Sequence, residues 1–298
     1  MKKENWGGNW TEEKLETFEH YVIEYLTIMN SQKKKYNGWP TTIYFDGFAG
    51  SGSRYDDNLD DEQKKLFSDF FNDENNIYRG SAERVLNLTQ KFDEYYFVDV
   101  DETALRELKI KLYSKNLLND KCYFIAGDVN SKLKEFSEHL DRSKAALIFL
   151  DPFGMQIEWS SIECLKDKRV DLWILVPSGV IINRLLDKQG ELKYSKKLES
   201  FFGLSEEEIR KKFYKTEKIN TLFGNEKIIS KEKDTIQKIA NIYVEKLKSI
   251  FKFVTEEPLK LMNRKNITIY HFVFASNNPT AHKIAKYIIE KKIQKRKK

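Results

Sequence analysis

Apolar residues recur at spacings of three and four positions near the start of the chain, a pattern typical of one buried face of an amphipathic helix. These positions are Leu15, Phe18, Val22, Tyr25, Leu26 and Met29. Thr11 is the expected N-cap, with acidic residues directly after it. The turn at Gly38-Trp39-Pro40 should end the segment. The pattern therefore predicts an N-terminal helical extension over residues 1–38.

Beyond residue 40, short runs rich in Ile, Val, Tyr and Phe alternate with amphipathic segments. The runs typical of buried strands are 41–45, 95–100, 122–126, 145–150 and 170–176. Such alternation favours a parallel sheet with helices on both faces. Two later runs, 252–262 and 267–276, are joined by only four residues, so they must pair antiparallel.

The predicted fold is therefore a doubly wound α/β fold with a mostly parallel, seven-stranded, Rossmann-like sheet and a C-terminal antiparallel hairpin. Dinucleotide-binding sheets usually lack such a hairpin, whereas the sheet of class I methyltransferases has one. At 298 residues, one domain over 1–298 with insertions is expected. The insertions are an acidic segment at 54–79 and a helical insertion or lid at 187–232, and a basic helical tail follows at 286–298.

Composition narrows the function classes only slightly. The formal net charge of +6 does not by itself indicate a nucleic-acid-binding protein. The basic tail is either a solvated helix end or a contact for nucleic acid. Two distant cysteines, Cys122 and Cys164, have no metal-ligand spacing, so no metal site is expected. The chain contains no apolar stretch approaching 18 residues and no signal-peptide pattern, which predicts a cytoplasmic protein without a membrane partner.

A glycine-rich loop directly follows the first predicted strand. It lacks the lysine of a Walker A loop and the glycine spacing that places a pyrophosphate on a helix N-terminus. Glycines at this place let the backbone approach a ligand closely, and the loop suits the amino-acid portion of S-adenosylmethionine (SAM) better than a dinucleotide. The candidate cofactor-binding residues are Asp46, Gly47, Phe48, Gly50 and Gly52.

Two further strand ends carry acidic residues. Asp99, at the end of the second strand, can accept hydrogen bonds from both hydroxyls of a ribose, while Asp101 is expected to cap the next helix. Asp128, after the third strand, is placed near the adenine of the cofactor. The alternative is that these are ordinary cap and turn aspartates.

Asp151-Pro152-Phe153-Gly154 follows the fourth strand. Asp151 and the Pro152 carbonyl can orient an exocyclic amine, and Phe153 can stack on its ring. Positioning supplies most of the acceleration in such a transfer, so no histidine base is required. Asp151, Pro152 and Phe153 are therefore the candidate catalytic residues. Phe48, Phe153 and Trp173 are candidates for base stacking, with core packing as the alternative.

Several motifs together resemble the three-Cys-motif partner proteins. They are Tyr44-Phe45-Asp46-Gly47-Phe48-Ala49-Gly50-Ser51-Gly52, Arg79-Gly80-Ser81, Phe149-Leu150-Asp151-Pro152-Phe153-Gly154, Asp171-Leu172-Trp173 with Pro177, Asn183-Arg184-Leu185-Leu186 and Phe272-Val273-Phe274-Ala275-Ser276. The resemblance implies a SAM-dependent methyltransferase and a radical-SAM-like partner that carries the three cysteines.

Asp-Pro-Phe-Gly is also similar to the catalytic motif of tRNA guanine dimethyltransferases. It is related to the Asp-Pro-Pro-Tyr motif of amino-methylating DNA enzymes, from which Phe153 and Gly154 depart. The leading hypothesis is a SAM-dependent methyltransferase acting on a nucleic-acid base or related nucleotide. The alternatives are a non-catalytic SAM-binding subunit of the three-cysteine protein and a nicotinamide-dependent oxidoreductase.

Overall fold

The computed structural model describes residues 9–50, 80–179, 181–188, 190–221, 224–263 and 265–296. Gly52, the acidic insertion at 54–79 and the last two residues of the tail lie outside the described residues. The strands of the central sheet are β1 (Thr41–Asp46), β2 (Glu94–Asp99), β3 (Cys122–Ala126), β4 (Lys144–Leu150), β5 (Val170–Val176), β8 (Phe253–Val254), β9 (Leu259–Met262) and β10 (Thr268–Ser276).

The sheet has the order β3-β2-β1-β4-β5-β10-β8, and β9 also pairs with β10. Strands β1 to β5 are mutually parallel, whereas β10 runs antiparallel to β5, β8 and β9. This is the predicted doubly wound, mostly parallel sheet with a C-terminal antiparallel hairpin.

The outer strand of that hairpin is broken, so among the described residues the sheet has eight strands rather than the predicted seven. The single strand expected over 252–262 is two separate strands, β8 and β9, both paired with β10. Pro258 directly precedes β9 and has no N–H to donate to a continuous ladder. The two acidic residues before this proline are exposed.

Helices cover both faces of the sheet. One face is covered by α1 (Asn9–Lys35), α2 (Ser81–Asn87), α3 (Glu102–Ser114) and α10 (Pro279–Lys295). The other is covered by α4 (Val129–Glu138), α5 (Trp159–Glu163), α6 (Ile181–Leu185), α7 (Ser195–Phe202), α8 (Glu206–Phe213) and α9 (Thr235–Lys248). The apolar stripe of α1 is buried against β1, β4 and β5. Thr11 lies inside α1 rather than at its N-cap, since the helix already includes Asn9.

The segment at 187–232 contains more than helices. Its expected helix around residues 205–214 is α8, but an antiparallel hairpin follows it, formed by β6 (Tyr214–Thr221) and β7 (Gly224–Lys231). The hairpin was not predicted because its strands are rich in Lys, Glu and Asn rather than in alternating β-branched and aromatic residues.

Two cations of the basic tail are engaged within the molecule. Lys292 pairs with Glu16 and Arg296 with Glu13, both on α1. These pairs join the two ends of the chain along one face of the sheet. None of the described helices is long and apolar enough to cross a membrane.

Candidate active site

The predicted site loops meet at the carboxyl edge of the parallel strands. Asp46 at the end of β1 is level with Phe97 on one side and Phe149 on the other. Asp99 at the end of β2 is level with Ala126 at the end of β3. The structure therefore brings together the loops that begin after β1, β2, β3 and β4.

Backbone hydrogen bonds hold the glycine-rich loop against both neighbouring strands. The Gly47 N–H donates to the Phe149 carbonyl of β4 over 3.0 Å, and the Ala49 N–H donates to the Val98 carbonyl of β2 over 3.0 Å. A Cβ atom at position 47 would lie 2.6 Å from the Leu150 side chain. The close approach of the loop to β4 therefore requires glycine at this position.

We expect Gly47→Ala to lower the free energy of unfolding by roughly 2–3 kcal/mol, since the added methyl group overpacks a buried contact. The same atom would also lie 2.8 Å from Val129, so two side chains would have to move. Gly80→Ala is the matched control, because a Cβ atom there meets nothing within 4 Å. Urea denaturation measures both variants, and equal destabilisation would contradict the close-approach argument.

Asp99 is almost fully buried and points back into the loops. One carboxylate oxygen accepts from the Gly50 N–H over 3.0 Å and the other from the Asp101 N–H over 2.9 Å. Burial raises the pKa of Asp99, whereas these backbone donors lower it. Asp101 caps α3 by accepting from the backbone N–H groups of Thr103 and Ala104, as predicted. Asp99 is therefore a fixed acceptor at the end of β2.

Gly50 and Val100 define the surroundings of this carboxylate. A Cβ atom on Gly50 would lie 3.0 Å from the Asp99 carboxylate carbon, so only glycine lets the loop come this close. Val100, directly after Asp99, is 65% exposed. Sequence analysis did not identify this residue. Its apolar side chain beside a fixed acceptor offers a surface for a flat ring.

Asp46 is fully buried, and its carboxylate accepts hydrogen bonds from two hydroxyl groups. The hydroxyls of Tyr44 and Ser81 donate to it over 2.9 and 2.6 Å. Burial raises the pKa of Asp46 to about 6, and the nearby charge of Asp151 adds to this, against the lowering effect of Ser81 and Tyr44. Gly80, and not Ser81, is the N-cap residue of α2. The Ser81 hydroxyl instead joins α2 to the glycine-rich loop.

The raised pKa of Asp46 predicts a pH dependence of stability. Between its ordinary value of 3.8 and about 6, the unfolded state releases a proton that the native state retains, so native stability falls as pH rises. Asp46→Asn lacks this ionisation. We expect the unfolding free energy of the variant, relative to the parent protein, to rise by up to about 3 kcal/mol from pH 4 to pH 7. Urea denaturation at both pH values tests this, and a difference independent of pH would contradict it.

Asp128 is the N-cap of α4. Its carboxylate accepts from the Ser131 N–H over 2.9 Å and from the Ser131 hydroxyl over 3.1 Å. Asn130, two residues further on, is buried and donates to the Gln156 carbonyl over 2.8 Å. The cap therefore also connects the end of β3 with the loop after β4.

The Asp151–Gly154 loop is held from two sides. The Phe153 N–H donates to Gln156 Oε1 over 2.8 Å, and the Phe153 carbonyl accepts from the Tyr270 hydroxyl over 3.0 Å. Pro152 is buried and the Phe153 ring is half-buried. These contacts fix the backbone on which the candidate catalytic residues lie.

Lys14 of α1 forms an ion pair with Asp151 through Oδ2. Its side chain is 6% exposed, against 23% for Asp151. The Lys14 ammonium also lies 5.3 Å from the centre of the Trp10 ring, which packs on Tyr270 at 5.2 Å. Sequence analysis missed Lys14. Lys14 lies four residues before the buried Phe18 and therefore on the apolar face of α1, and a lysine on a buried face is the feature that could have identified it.

Trp173 is a core residue, which is one of the two alternatives, base stacking and core packing, that the sequence left open for it. It is fully buried on β5 and packs against Tyr21, Phe272 and Phe274. Because β5 is covered on both faces, its central side chains are core residues. Phe48 is half-buried and packs on the other face of the sheet, against the core covered by α4 to α9.

Comparisons with known proteins identify no family for the chain. No family model and no curated protein match it. A Legionella pneumophila protein described by the family model DUF519 is 17% identical, with 89% of this chain and 97% of that chain covered and a TM-score of 0.38. Spermidine synthase from Thermotoga maritima is 8% identical over 82% and 56% of the two chains, with a TM-score of 0.40. An rRNA methylase from Streptococcus thermophilus is 15% identical over 65% and 88%, with a TM-score of 0.26. At these values the similarities identify neither an activity nor a substrate.

Proposed function

We propose that the protein is a SAM-dependent methyltransferase whose acceptor is an exocyclic amine of a nucleic-acid base or a related nucleotide. One observation carries this proposal: the end of β2 presents a fixed carboxylate, and the end of β4 presents a clamped Asp-Pro-Phe-Gly loop at the same edge of the sheet. In an open α/β sheet, ligands bind outside the carboxyl ends of the strands.

The residues around Asp99 fit SAM. Asp99 is held by two backbone donors, and its remaining lone pairs can accept from two ribose hydroxyls. Exposed Val100 would contact the adenine ring, with Asp128 near its amino group. Gly47 and Gly50 would let the loop backbone approach the amino-acid portion. When bound, SAM supplies an electrophilic methyl group.

The acceptor would lie against the Asp151–Gly154 loop. Asp151 Oδ2 is taken by Lys14, which holds the carboxylate in one orientation and leaves Oδ1 to accept from the amine. The Pro152 carbonyl would accept the second N–H, so that the nitrogen lone pair points toward the cofactor. Phe153 would contact the face of the acceptor ring. Lys14 is thus a positioning residue in this proposal.

Methyl transfer tests the proposal directly. SAM labelled in its methyl group is incubated with the full chain and, separately, with RNA, DNA and nucleotides. The expected result is label on a purine or pyrimidine amino group, identified by nucleoside analysis. Label on protein alone, or on a small molecule without a base, would contradict the proposed acceptor.

The Lys14–Asp151 ion pair also favours a second candidate function. A carboxylate already neutralised by a buried lysine is compatible with a SAM-binding subunit that does not catalyse transfer and serves a three-cysteine, radical-SAM-like partner. The same assay separates the two functions. SAM binding without transfer to any acceptor, together with a stable complex with such a partner, would favour the non-catalytic subunit. A nicotinamide-dependent oxidoreductase would instead bind NAD.

A further inference from the structure

A cavity of about 680 Å³ lies beside the carboxyl edge of β5. Its floor includes His271 of β10, which is level with Val176, the last residue of β5. One wall comes from the 187–232 segment, through Lys188 and the end of β7. Since β5 adjoins β4, the cavity lies next to the strand end after which the Asp151–Gly154 loop begins. It lies on the α9 face of the sheet, whereas Lys14 contacts Asp151 from the α1 face.

His271 is a buried polar group with one unused hydrogen-bonding atom. The side chain is fully buried, its Nδ1 lies 2.5 Å from the Ser178 hydroxyl oxygen, and its Nε2 has no partner among the residues that the structure describes. Burial lowers the pKa of His271 to about 4, with a further lowering by Lys260. The ring is therefore neutral at pH 7. When Nδ1 accepts from Ser178, Nε2 carries a hydrogen for a ligand.

Three lysines line this cavity: Lys188, Lys231 and Lys260. Within the described part of the chain, no carboxylate lies within 4.0 Å of their ammonium groups. Lys231 Nζ instead donates to the backbone carbonyls of Asn183 and Leu186, and burial lowers the pKa of Lys231 to about 8. The charge of Asp187 also acts on half-buried Lys231 and raises its pKa against the effect of burial. Lys188 and Lys260 are exposed, so these two ammonium groups are accessible to an anion in the cavity.

Two carboxylates, Glu232 and Asp234, also line the cavity. Glu232 is shared by Lys215 and Lys238, at 3.4 and 3.8 Å. Asp234 is the N-cap residue of α9, but its side chain accepts no hydrogen bond from the helix. The lysines therefore outweigh the acidic groups.

The first turn of α9 completes the lining with Thr235, Ile236 and Gln237. Because the 14-residue helix has no side-chain cap, the backbone N–H groups of this turn are available as donors. The positive end of the helix dipole adds to the field of the lysines.

We propose that this cavity binds a phosphate group of the methyl acceptor. The inference rests on the proposed function, because it assigns the phosphate to the nucleic acid or nucleotide whose base reaches Asp151. His271 Nε2, the N–H groups at the start of α9, and Lys188, Lys231 and Lys260 would be its donors. Such a site would allow contact with nucleic acid without Lys292 and Arg296 of the tail, which already pair with α1.

Histidine NMR provides a site-specific test on the full chain. The protein has four histidines, and only His271 lines the cavity. Inorganic phosphate, titrated at constant ionic strength, should shift the His271 ring signal in a saturable way and leave the signals of His20, His139 and His282 in place. His271→Gln assigns the signal. An unchanged His271 signal in the folded protein would overturn the inference.

Lysine variants test the electrostatic part. The double variant Lys188→Gln and Lys260→Gln should raise the Kd of phosphate at least about tenfold. For oligonucleotide binding, the slope of log K against log salt concentration should fall in magnitude by about 1 for each lysine that contacts phosphate. Lys283→Gln on α10, on the other face of the sheet, is the charge-matched control. Equal losses in the double variant and the control would overturn the site.

Two further titrations separate the ligand source and the function. If a short single-stranded oligonucleotide shifts the His271 signal, the result supports a nucleic-acid acceptor. If a mononucleotide shifts the signal and the oligonucleotide does not, the result supports a nucleotide acceptor. S-adenosylhomocysteine (SAH) binding is measured on the same sample. SAH binding without a phosphate response overturns only the cavity inference. A phosphate response without SAH binding overturns the proposed function and, with it, the assignment of the phosphate to a methyl acceptor, and leaves only an anion site.

Discussion

Replacing Asp151 by alanine is expected to reduce methyl transfer about 10²- to 10³-fold, the loss typical of removing one preorganised hydrogen-bonding group at a reacting centre, while SAH affinity stays unchanged. The reason is geometric: Asp151 lies on the acceptor loop after β4, whereas the candidate cofactor carboxylate lies at the end of β2. Single-turnover transfer measures the first quantity and calorimetry the second. Asp120→Ala, at an exposed aspartate before β3, is the matched control.

Because Lys14 pairs with Asp151, the Asp151→Ala substitution also lowers the stability of the protein. Removing one partner of a buried pair leaves an uncompensated charge, at a cost of about 3–5 kcal/mol when burial is complete. Lys14→Met combined with Asp151→Ala removes both charges and should regain part of the lost stability without regaining transfer. A folded Asp151→Ala protein with the parent rate would show that Asp151 does not position the acceptor.

Replacing Asp99 by alanine is expected to raise the Kd of SAH about 100-fold. Two hydrogen bonds from ribose hydroxyls to a carboxylate contribute about 3 kcal/mol together, which corresponds to about two decades in affinity. The substitution also removes the acceptor of the Gly50 and Asp101 N–H groups, so the loop after β1 loses an anchor. Asp99→Asn keeps a neutral acceptor, so its Kd for SAH should lie between those of the parent protein and of Asp99→Ala.

Calorimetric titration of SAH measures these affinities. Glu102→Gln is the matched control, because Glu102 is three residues away, exposed and paired with Arg106. The contradicting outcome is an Asp99→Ala variant that binds SAH as tightly as the control. In that case the acidic residue at the end of β2 serves only to hold the loops.

Much of the sheet was predictable because its signals are local. Strands β3 and β5 have the predicted bounds, since each is a short apolar run between polar turns, although only β5 is fully buried and β3 is a partly exposed edge strand. Parallel pairing then places the loops after β1 to β4 at one edge without any knowledge of side-chain contacts. The positions of Asp46, Asp99, Asp128 and Asp151 at one edge follow from this alone.

The contacts that the sequence did not reveal join residues far apart in the chain. Lys14 reaches Asp151 across 137 positions, and Ser178 reaches His271 across 93. Periodicity assigns such residues to a helix or a strand but does not name their partners. The broken outer strand at Pro258 was recognisable in principle, because proline interrupts a ladder.

Trp173 illustrates an alternative that the sequence left open and the structure decides. Its aromatic ring and its place on the strand next to the acceptor loop suggested base stacking, but the residue lies in the interior of a strand covered by α1 on one face. An aromatic side chain at the end of a strand, such as Phe153, is in a better position for a ligand than one in the middle. Residue type alone does not distinguish the two.

The most direct test of the central claim is calorimetric titration of SAH into the parent protein. A saturable heat with a Kd in the micromolar range, about −8 kcal/mol, is the predicted result, because in the proposed function the fixed Asp99 carboxylate would accept the ribose hydroxyls and the glycine-rich loop would contact the amino-acid portion. The absence of binding heat at several temperatures, in a protein shown to be folded by its cooperative unfolding, would contradict the account.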